Sequence, residues 1–298
     1  MPKLKLYIAE RNDFSNDVLQ QLKNQFEIVD FERNILLKEI LNQIDIFWFR
    51  LAHKLDSTVL DKSTKCKYLL NPVTGIDHID EKLCNELGIQ IICLRGEVDF
   101  LKNVRATAEH TIALTLALLR KIHPAVTDVQ SGNWNRDAYR GNELYNKKVG
   151  ILGYGRLGKI VAKYFHAFDC DIFYFDVEEK IADSYCVKLN SIESLFENCD
   201  IVSIHIPLND STKGIIDKNL LFKMATNAIL VNTSRGAIVN DKDLLDALVS
   251  NRIKGAALDV LEGEPNILNS ELVKYSKSNS NLIITPHIGG NTYESFAK

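Results

Sequence analysis

The sequence predicts an α/β protein made of two doubly wound parallel-sheet domains, and three observations carry that prediction. Short β-rich apolar runs alternate with helical segments along the first hundred residues. A second series of the same kind begins at Lys148. An apolar helical stretch and a polar segment rich in Asn, Gly and Tyr separate the two series. A chain of 298 residues has room for two domains of about 100–200 residues each.

The first series runs as follows. Leu4–Ala9 reads as a strand. Phe14–Lys23 reads as a helix with Val18 and Leu22 on one face. Phe26–Asp30 is a strand, Ile35–Leu41 a helix, and Asp45–Arg50 (DIFWFR) a strong strand. Lys67–Leu70 is a strand, Asp80–Leu87 a helix, and Ile89–Leu94 closes the set. A helix is then expected from Leu101 to Lys121. Its stretch ATAEHTIALTLALL is apolar on nearly all sides, so it should be buried. We expect it to cross between the domains and to pack on a second subunit; the alternative is a core helix of a monomer.

After the polar segment Gln130–Asn146 the second series places strands at Lys148–Leu152, Asp171–Phe175, Asp200–Ile206, Ala228–Asn232, Ala256–Val260 and Leu282–Thr285. Helices fit between most of them. The chain closes on the beginning of a helix, Thr292–Lys298.

Composition narrows the function classes. Hydrophobic residues make up 46% and charged residues 25%, ordinary for a globular protein. The formal net charge of −3, with no dense Lys/Arg run, argues against nucleic-acid and anionic-membrane partners. No uncharged apolar run reaches the ~18 residues of a membrane span. The N-terminus reads as a strand rather than a signal sequence. A cytoplasmic protein is expected. The six cysteines form no CxxC pair and no Cys/His cluster with zinc spacing, so no metal is expected. Cys66, Cys93, Cys170 and Cys199 lie in or beside apolar runs and read as small buried hydrophobes.

One motif points to a dinucleotide. Lys148–Leu152 runs into Gly153-Tyr154-Gly155-Arg156-Leu157-Gly158, a GxGxxG between a strand and a helix. Gly153 permits the tight turn, Gly155 lets backbone approach a pyrophosphate, and Gly158 lets the helix pack on its strand. The helix N-terminus then offers free N–H groups to the phosphates. The next strand ends at Asp176, 18 residues after Gly158. An acid there can accept hydrogen bonds from ribose hydroxyls and repel a 2′-phosphate, which favours NAD over NADP.

Three later segments carry polar residues just past apolar strands, where open α/β sheets bind ligands. They hold Arg235, Glu264 and His287. Reducing a 2-keto acid needs a hydride at the carbonyl carbon and a proton at its oxygen. His287 suits the proton, Glu264 would orient the ring, and Arg235 would hold the substrate carboxylate. Asp259 would contact the nicotinamide side or tune the site. Each has a duller reading: a surface Arg, a loop Glu, a turn His. His78, His110 and His205 also lie near element ends, so composition alone does not single out His287.

Taken together and in order, these motifs resemble the D-isomer-specific 2-hydroxyacid dehydrogenases, and among them the phosphoglycerate dehydrogenase branch. The likeness covers nearly the whole chain. It includes Asn71–Asp80 (NPVTGIDHID), Asn103–His110 (NVRATAEH), Gly153–Gly158, His205–Leu208, Asn232–Gly236, Asp259–Pro265 and Pro286–Gly290. The resemblance implies a flavodoxin-like substrate domain (residues 1–100 plus 288–298) and a Rossmann NAD domain (residues 101–287) with a cleft between them. We expect two lobes to close over the cleft and expel water before hydride transfer, with hinges near Glu97–Leu101 and after His287. The resemblance implies catalytic roles for Arg235, Glu264 and His287. It implies NAD contacts at Arg156, Leu157, Asp176, His205, Pro207, Thr233, Ser234, Arg235, Asp259, His287, Gly289 and Gly290, beside the three motif glycines. It implies a substrate site of Arg50, Arg235 and the backbone of Val73, Thr74 and Gly75, and a homodimer formed through the NAD domain.

One departure stands out: after Arg50, Leu51 and Ala52 occupy places where phosphoglycerate dehydrogenases tend to carry a further Arg for the phosphate. The expected function is an NAD-dependent D-2-hydroxyacid dehydrogenase acting on a small 2-hydroxy or 2-keto acid, 3-phosphoglycerate-like or sugar-derived. The alternative is an NAD(H)-sensing, corepressor-like binding protein on the same fold. A methyltransferase with a similar Gly-rich turn leaves Asp259–Pro265 and His287 without a role.

Overall fold

The computed structural model describes residues 2–11, 14–32 and 34–296. The chain divides into two compact units, Met1–Leu101 and Lys102–Lys298.

The first unit is a five-stranded parallel sheet: β1 (Lys5–Ile8), β2 (Glu27–Ile28), β3 (Ile46–Trp48), β4 (Tyr68–Asn71) and β5 (Gln90–Cys93), in the order β2-β1-β3-β4-β5. This is the flavodoxin-like order. Alternating side chains feed two cores. Leu6, Ile8 and Ile46 pack with Phe14, Leu19 and Leu22 on one face, while Phe47 and Leu69 pack with Leu41, Leu55 and Leu60 on the other. Two helices start where a capping side chain accepts from the first turn: Ser15 Oγ from Val18 N, and Asp80 Oδ1 from Leu83 N. Asp80, expected as the first helical residue, is therefore the cap of Glu81–Glu86.

The second unit is a seven-stranded parallel sheet: β6 (Lys148–Leu152), β7 (Asp171–Phe175), β8 (Cys186–Lys188), β9 (Ile201–Ile204), β10 (Ile229–Asn232), β11 (Gly255–Leu258) and β12 (Leu282–Ile284). The order is β12-β11-β10-β9-β6-β7-β8, so the winding reverses between β6 and β9. This is the doubly wound dinucleotide-binding order with one added strand. The central strands β9, β10 and β11 are buried at every position. Such strands read as near-continuous apolar runs, broken here by Ser203 and Asn232, because helices cover both faces. The edge strand β8 lies outside the expected set, because its three half-exposed or exposed residues carry no apolar run.

The long helix is shorter than expected. It spans Ala106–Leu119, and Lys121 (φ 52°) breaks it before a second helix, Ile122–Gln130. Eight of its residues are buried, as an all-round apolar pattern demands. Their contacts lie inside the second unit, against the helix Arg156–His166 and strands β10–β12.

Residues 288–298 are expected from the sequence to return to the first domain. The described part, 288–296, groups instead with the second unit, where the Ile288 and Gly289 amides donate to Asp259. Of the expected terminal helix only Tyr293–Phe296 falls among the described residues, and residues 297 and 298 lie outside them. All six cysteines are free. The buried four are Cys66, Cys84, Cys170 and Cys199, with Cys84 in the place expected for the half-buried Cys93. Burial pushes the Cys66 and Cys199 thiols up to about 12. Among the described residues no helix is long and apolar enough to cross a membrane.

Candidate active site

The turn after β6 is shaped by what a side chain would strike. Gly153 has φ +93°, and a Cβ there would lie 2.7 Å from the His205 carbonyl oxygen. A Cβ on Gly158 would lie 2.1 Å from Gly153 O, so the helix can sit this close to the turn only with glycine. Gly155 faces open space and caps the helix Arg156–His166 without a side-chain acceptor. The first-turn amides thus remain available to an anion. The turn itself is pinned: Gly153 N donates to Phe175 O (2.9 Å) and Tyr154 N to Asp176 Oδ2 (2.8 Å). The Tyr154 side chain is fully buried, stacks on Tyr174 at 4.2 Å and reaches Asp183 and Cys186 with its hydroxyl.

The expected cofactor residues divide into two kinds. Asp176 stands at the end of β7 with one oxygen on Tyr154 N and the other on Glu178 N (2.9 Å). A carboxylate held by two amides in this way keeps lone pairs free for ribose hydroxyls. Leu157 packs its side chain into the core, so only its backbone can serve a phosphate. Arg156 is half-buried and donates to Val104 O (3.3 Å). Burial, with Arg105 nearby, draws its guanidinium below the usual value. The His205 ring pairs with Ser203 Oγ at 2.8 Å, and its buried Nδ1 has no partner. Burial drives its pKa down to about 3, so the ring is neutral at physiological pH. Pro207 is exposed, and its carbonyl accepts from Thr212. The cradle fits a dinucleotide: two glycines admit no Cβ, one opens to space, and an acid stands at the second strand end.

The catalytic candidates follow three neighbouring strands at their carboxyl ends. Arg235 follows β10, Glu264 follows β11 and His287 follows β12. Asn232 shapes the first loop. Its Oδ1 accepts from Ser234 N and Ser234 Oγ, and its Nδ2 donates to Arg235 O (2.9 Å). The Arg235 guanidinium is half-buried and donates to Ser234 O at 2.8 Å. Thr233 bonds Thr111 Oγ1 at 2.9 Å, which ties this loop to the buried helix. Gly236 lies so close to the next loop that a Cβ would meet Leu261 C at 2.0 Å.

Glu264 Oε1 lies 2.6 Å from His287 Nδ1, and Glu264 Oε2 accepts from Leu261 N. Both side chains keep about a quarter of their surface, 25% for His287 and 30% for Glu264. His287 has φ +54°, a left-handed conformation unusual for a residue with a Cβ. Such strain persists only where its surroundings hold it. Here His287 N donates to Asp259 O (2.8 Å) and Thr285 O (3.0 Å).

Asp259 is 1% exposed. It accepts from His110 Nε2, Thr285 Oγ1, Ile288 N and Gly289 N. Burial raises its pKa, but those hydrogen bonds outweigh burial and the carboxyl ends below its usual value. It acts as a buried anchor between the loops of Arg235 and His287. Gly289 has the same logic, since a Cβ there would lie 2.9 Å from Asp259 Oδ2 and 3.2 Å from Thr107. Gly290 is exposed. His110, Thr285, Thr111 and Asn232 are the residues to which the sequence alone assigns no role. Asn232 and Thr285 stand at the ends of β10 and β12, whereas His110 and Thr111 lie inside the helix Ala106–Leu119, where no local pattern marks them.

In the first unit, Asn71 ends β4 and donates to Phe49 O (2.9 Å) and Arg50 O (2.8 Å), which fixes the backbone before Leu51. Arg50 N donates to Glu10. The Val73 amide is taken by Asn71 O at 2.8 Å, which removes one of the three expected donors. The amides of Thr74 and Gly75 have no partner among the described residues.

Known proteins resemble this arrangement. The family model of the D-isomer specific 2-hydroxyacid dehydrogenase NAD binding domain matches residues 112–289. The D-3-phosphoglycerate dehydrogenase of Bacillus subtilis is 35% identical over 94% of the chain and 52% of its own length. The chain thus spans about half of that relative. The hydroxypyruvate reductase of Thermotoga maritima is 30% identical over 99% of the chain and 94% of its own length. The structure of D-lactate dehydrogenase from Aquifex aeolicus, complexed with NAD and lactic acid, superposes with a TM-score of 0.80. It is 25% identical and covers 98% of this chain and 91% of that one.

Proposed function

The chain belongs to the D-isomer-specific 2-hydroxyacid dehydrogenase family, and from that premise we propose that it is an NAD-dependent dehydrogenase interconverting a small 2-keto acid and its 2-hydroxy acid. The observation that carries this reading is the Glu264–His287 pair, 2.6 Å apart, set at the end of the sheet that also builds the dinucleotide cradle. Bound NAD would accept the hydride in oxidation and, once reduced, donate it in reduction.

The chain's own residues have separate tasks. Gly153, Gly155 and Gly158 clear space for the pyrophosphate, the amides at the start of Arg156–His166 bind it, and Asp176 receives the ribose hydroxyls. Glu264 engages Nδ1 of His287, which leaves Nε2 to give its proton to the carbonyl oxygen in reduction and to take it back in oxidation. Arg235 holds the substrate carboxylate by paired hydrogen bonds and draws charge from the carbonyl. Within the first unit, the amides of Thr74 and Gly75, without a partner among the described residues, suit a carboxylate.

A second copy of the chain is the proposed partner. On Ile122–Gln130, Ile122, Val126 and Val129 recur on one helical face and are 48%, 50% and 51% exposed, with Trp134 nearby in sequence at 87%. Sedimentation should give a dimer, and Val126→Glu with Val129→Glu should give monomers; a wild-type monomer rejects this.

The activity test is oxidation of NADH with glyoxylate, hydroxypyruvate, pyruvate and 3-phosphohydroxypyruvate. Turnover of at least one is expected, with loss in His287→Ala. NADH binding without turnover of any of them would overturn the proposal.

A further inference from the structure

We infer that His110, on the helix Ala106–Leu119, is a positioning residue for the proposed reaction, acting through Asp259 to hold the left-handed turn at His287. The inference rests on the functional reading above for its kinetic consequence, and on geometry for the rest.

Proton accounting fixes the direction of each bond. Thr285 has one hydroxyl proton, and its shortest contact is Asp259 Oδ1 at 2.6 Å. The proton belongs there, so Thr285 Oγ1 must accept from His110 Nε2 at 3.0 Å. The Nε2 proton of His110 is therefore shared between Thr285 Oγ1 and Asp259 Oδ1, the latter at 3.2 Å. A buried carboxylate needs such donors. Two of the remaining ones are the Ile288 and Gly289 amides, at 2.9 and 2.7 Å, directly after His287.

Three features make His110 more than local packing. The Asp259 carbonyl also accepts the His287 amide, so both ends of Asp259 grip the turn. The turn holds a non-glycine residue at φ +54° and would relax without that grip. Gly289 is wedged between Asp259 Oδ2 at 2.9 Å and the helix, with His110 Cδ2 at 3.7 Å from the position of its absent Cβ. Glu264 orients the imidazole ring of His287; His110 holds the backbone from which that ring projects. Loss of the Nε2 donor lets the Asp259 carboxylate turn and frees both amides.

Three variants test this. His110→Phe keeps a ring without the donor. His110→Gln returns a nitrogen donor at the same reach. Thr285→Val breaks the relay from the other side. With the best 2-keto acid, kcat should fall about tenfold to a hundredfold in His110→Phe and Thr285→Val, since small misplacements of a reacting group are that costly. His110→Gln should recover kcat to within about threefold of wild type. Hydrogen exchange at Ile288 and Gly289 should accelerate in His110→Phe and return in His110→Gln. Wild-type kcat in His110→Phe, or equal loss in His110→Gln, overturns the inference. If wild-type protein turns over no 2-keto acid, the functional reading fails, and exchange at Ile288 and Gly289 still decides the role of His110. Should His110→Phe not fold, His110→Leu, which also lacks the donor, decides the matter on the same two readouts.

Discussion

Glu264 Oε1 and His287 Nδ1 are 2.6 Å apart, and this contact decides which nitrogen of the ring is left for chemistry. With Nδ1 held, the proton in play sits on Nε2. Removing the ring and weakening its support should therefore differ in degree. His287→Ala should lower kcat by about 10²–10⁴-fold, the usual worth of a general acid. Glu264→Gln still accepts from Nδ1 but brings no charge, so a smaller loss, about tenfold, is expected. Single-turnover rates with bound NADH measure both, and equal losses would assign Glu264 a direct proton role.

Asp176 sets the choice between the two nicotinamide dinucleotides. Its carboxylate is fixed by Tyr154 N and Glu178 N, so it cannot swing away from a 2′-phosphate. Asp176→Ser should shift the ratio of kcat/KM for NADH over NADPH by about tenfold or more toward NADPH, chiefly through KM. An unchanged ratio would place cofactor choice elsewhere.

Asp241 offers a test by pH. Burial, with Glu262 nearby, raises its pKa from 3.8 to about 6. The folded protein therefore holds a proton that the unfolded chain releases first. The charged form penalises folding progressively from pH 3.8 upward, and fully above about 6. Asp241→Asn removes that penalty. It should raise Tm by about 2–4 °C at pH 7, near 1 kcal/mol, and leave it unchanged at pH 4. A gain of the same size at both values would point to packing. Asp241 also opens a helix, where a negative charge is favourable; the raised pKa says that desolvation outweighs this.

Gly158 is the least replaceable position of the cradle. Its missing Cβ would lie 2.1 Å from Gly153 O, which is backbone and cannot move alone. Gly158→Ala should push the helix off the turn. The expected result is NADH binding weakened at least about tenfold and a lower Tm, by the usual cost of overpacking. Gly155→Ala, which meets nothing within 4 Å, should keep its Tm and weaken only binding.

Strand existence is legible in the sequence, because a parallel sheet covered on both faces leaves near-continuous apolar runs such as Ile229–Val231 and Gly255–Leu258. β6 and β7 fall where the runs lie. The three-residue β8 is not legible, since edge strands bury too little to leave a pattern. The end of the long helix, expected at Lys121, falls at Leu119, whereas its start lies at Ala106 rather than at the expected Leu101. At the site, strand-end position finds Arg235, Glu264 and His287. It cannot find His110, which lies 149 residues from Asp259 and meets it only through the fold. Val73 departs from expectation for the opposite reason: a local bond to Asn71 O takes its amide.

Tyr154 turns the glycine-rich loop into a fixed object. Glycines would by themselves make that loop floppy, and a ligand would have to freeze it. The buried phenol, stacked on Tyr174 and tied to Asp183, supplies the order in advance. Capture of the cofactor should then carry little conformational entropy, and its residence time should follow the strength of its contacts rather than any refolding of the loop.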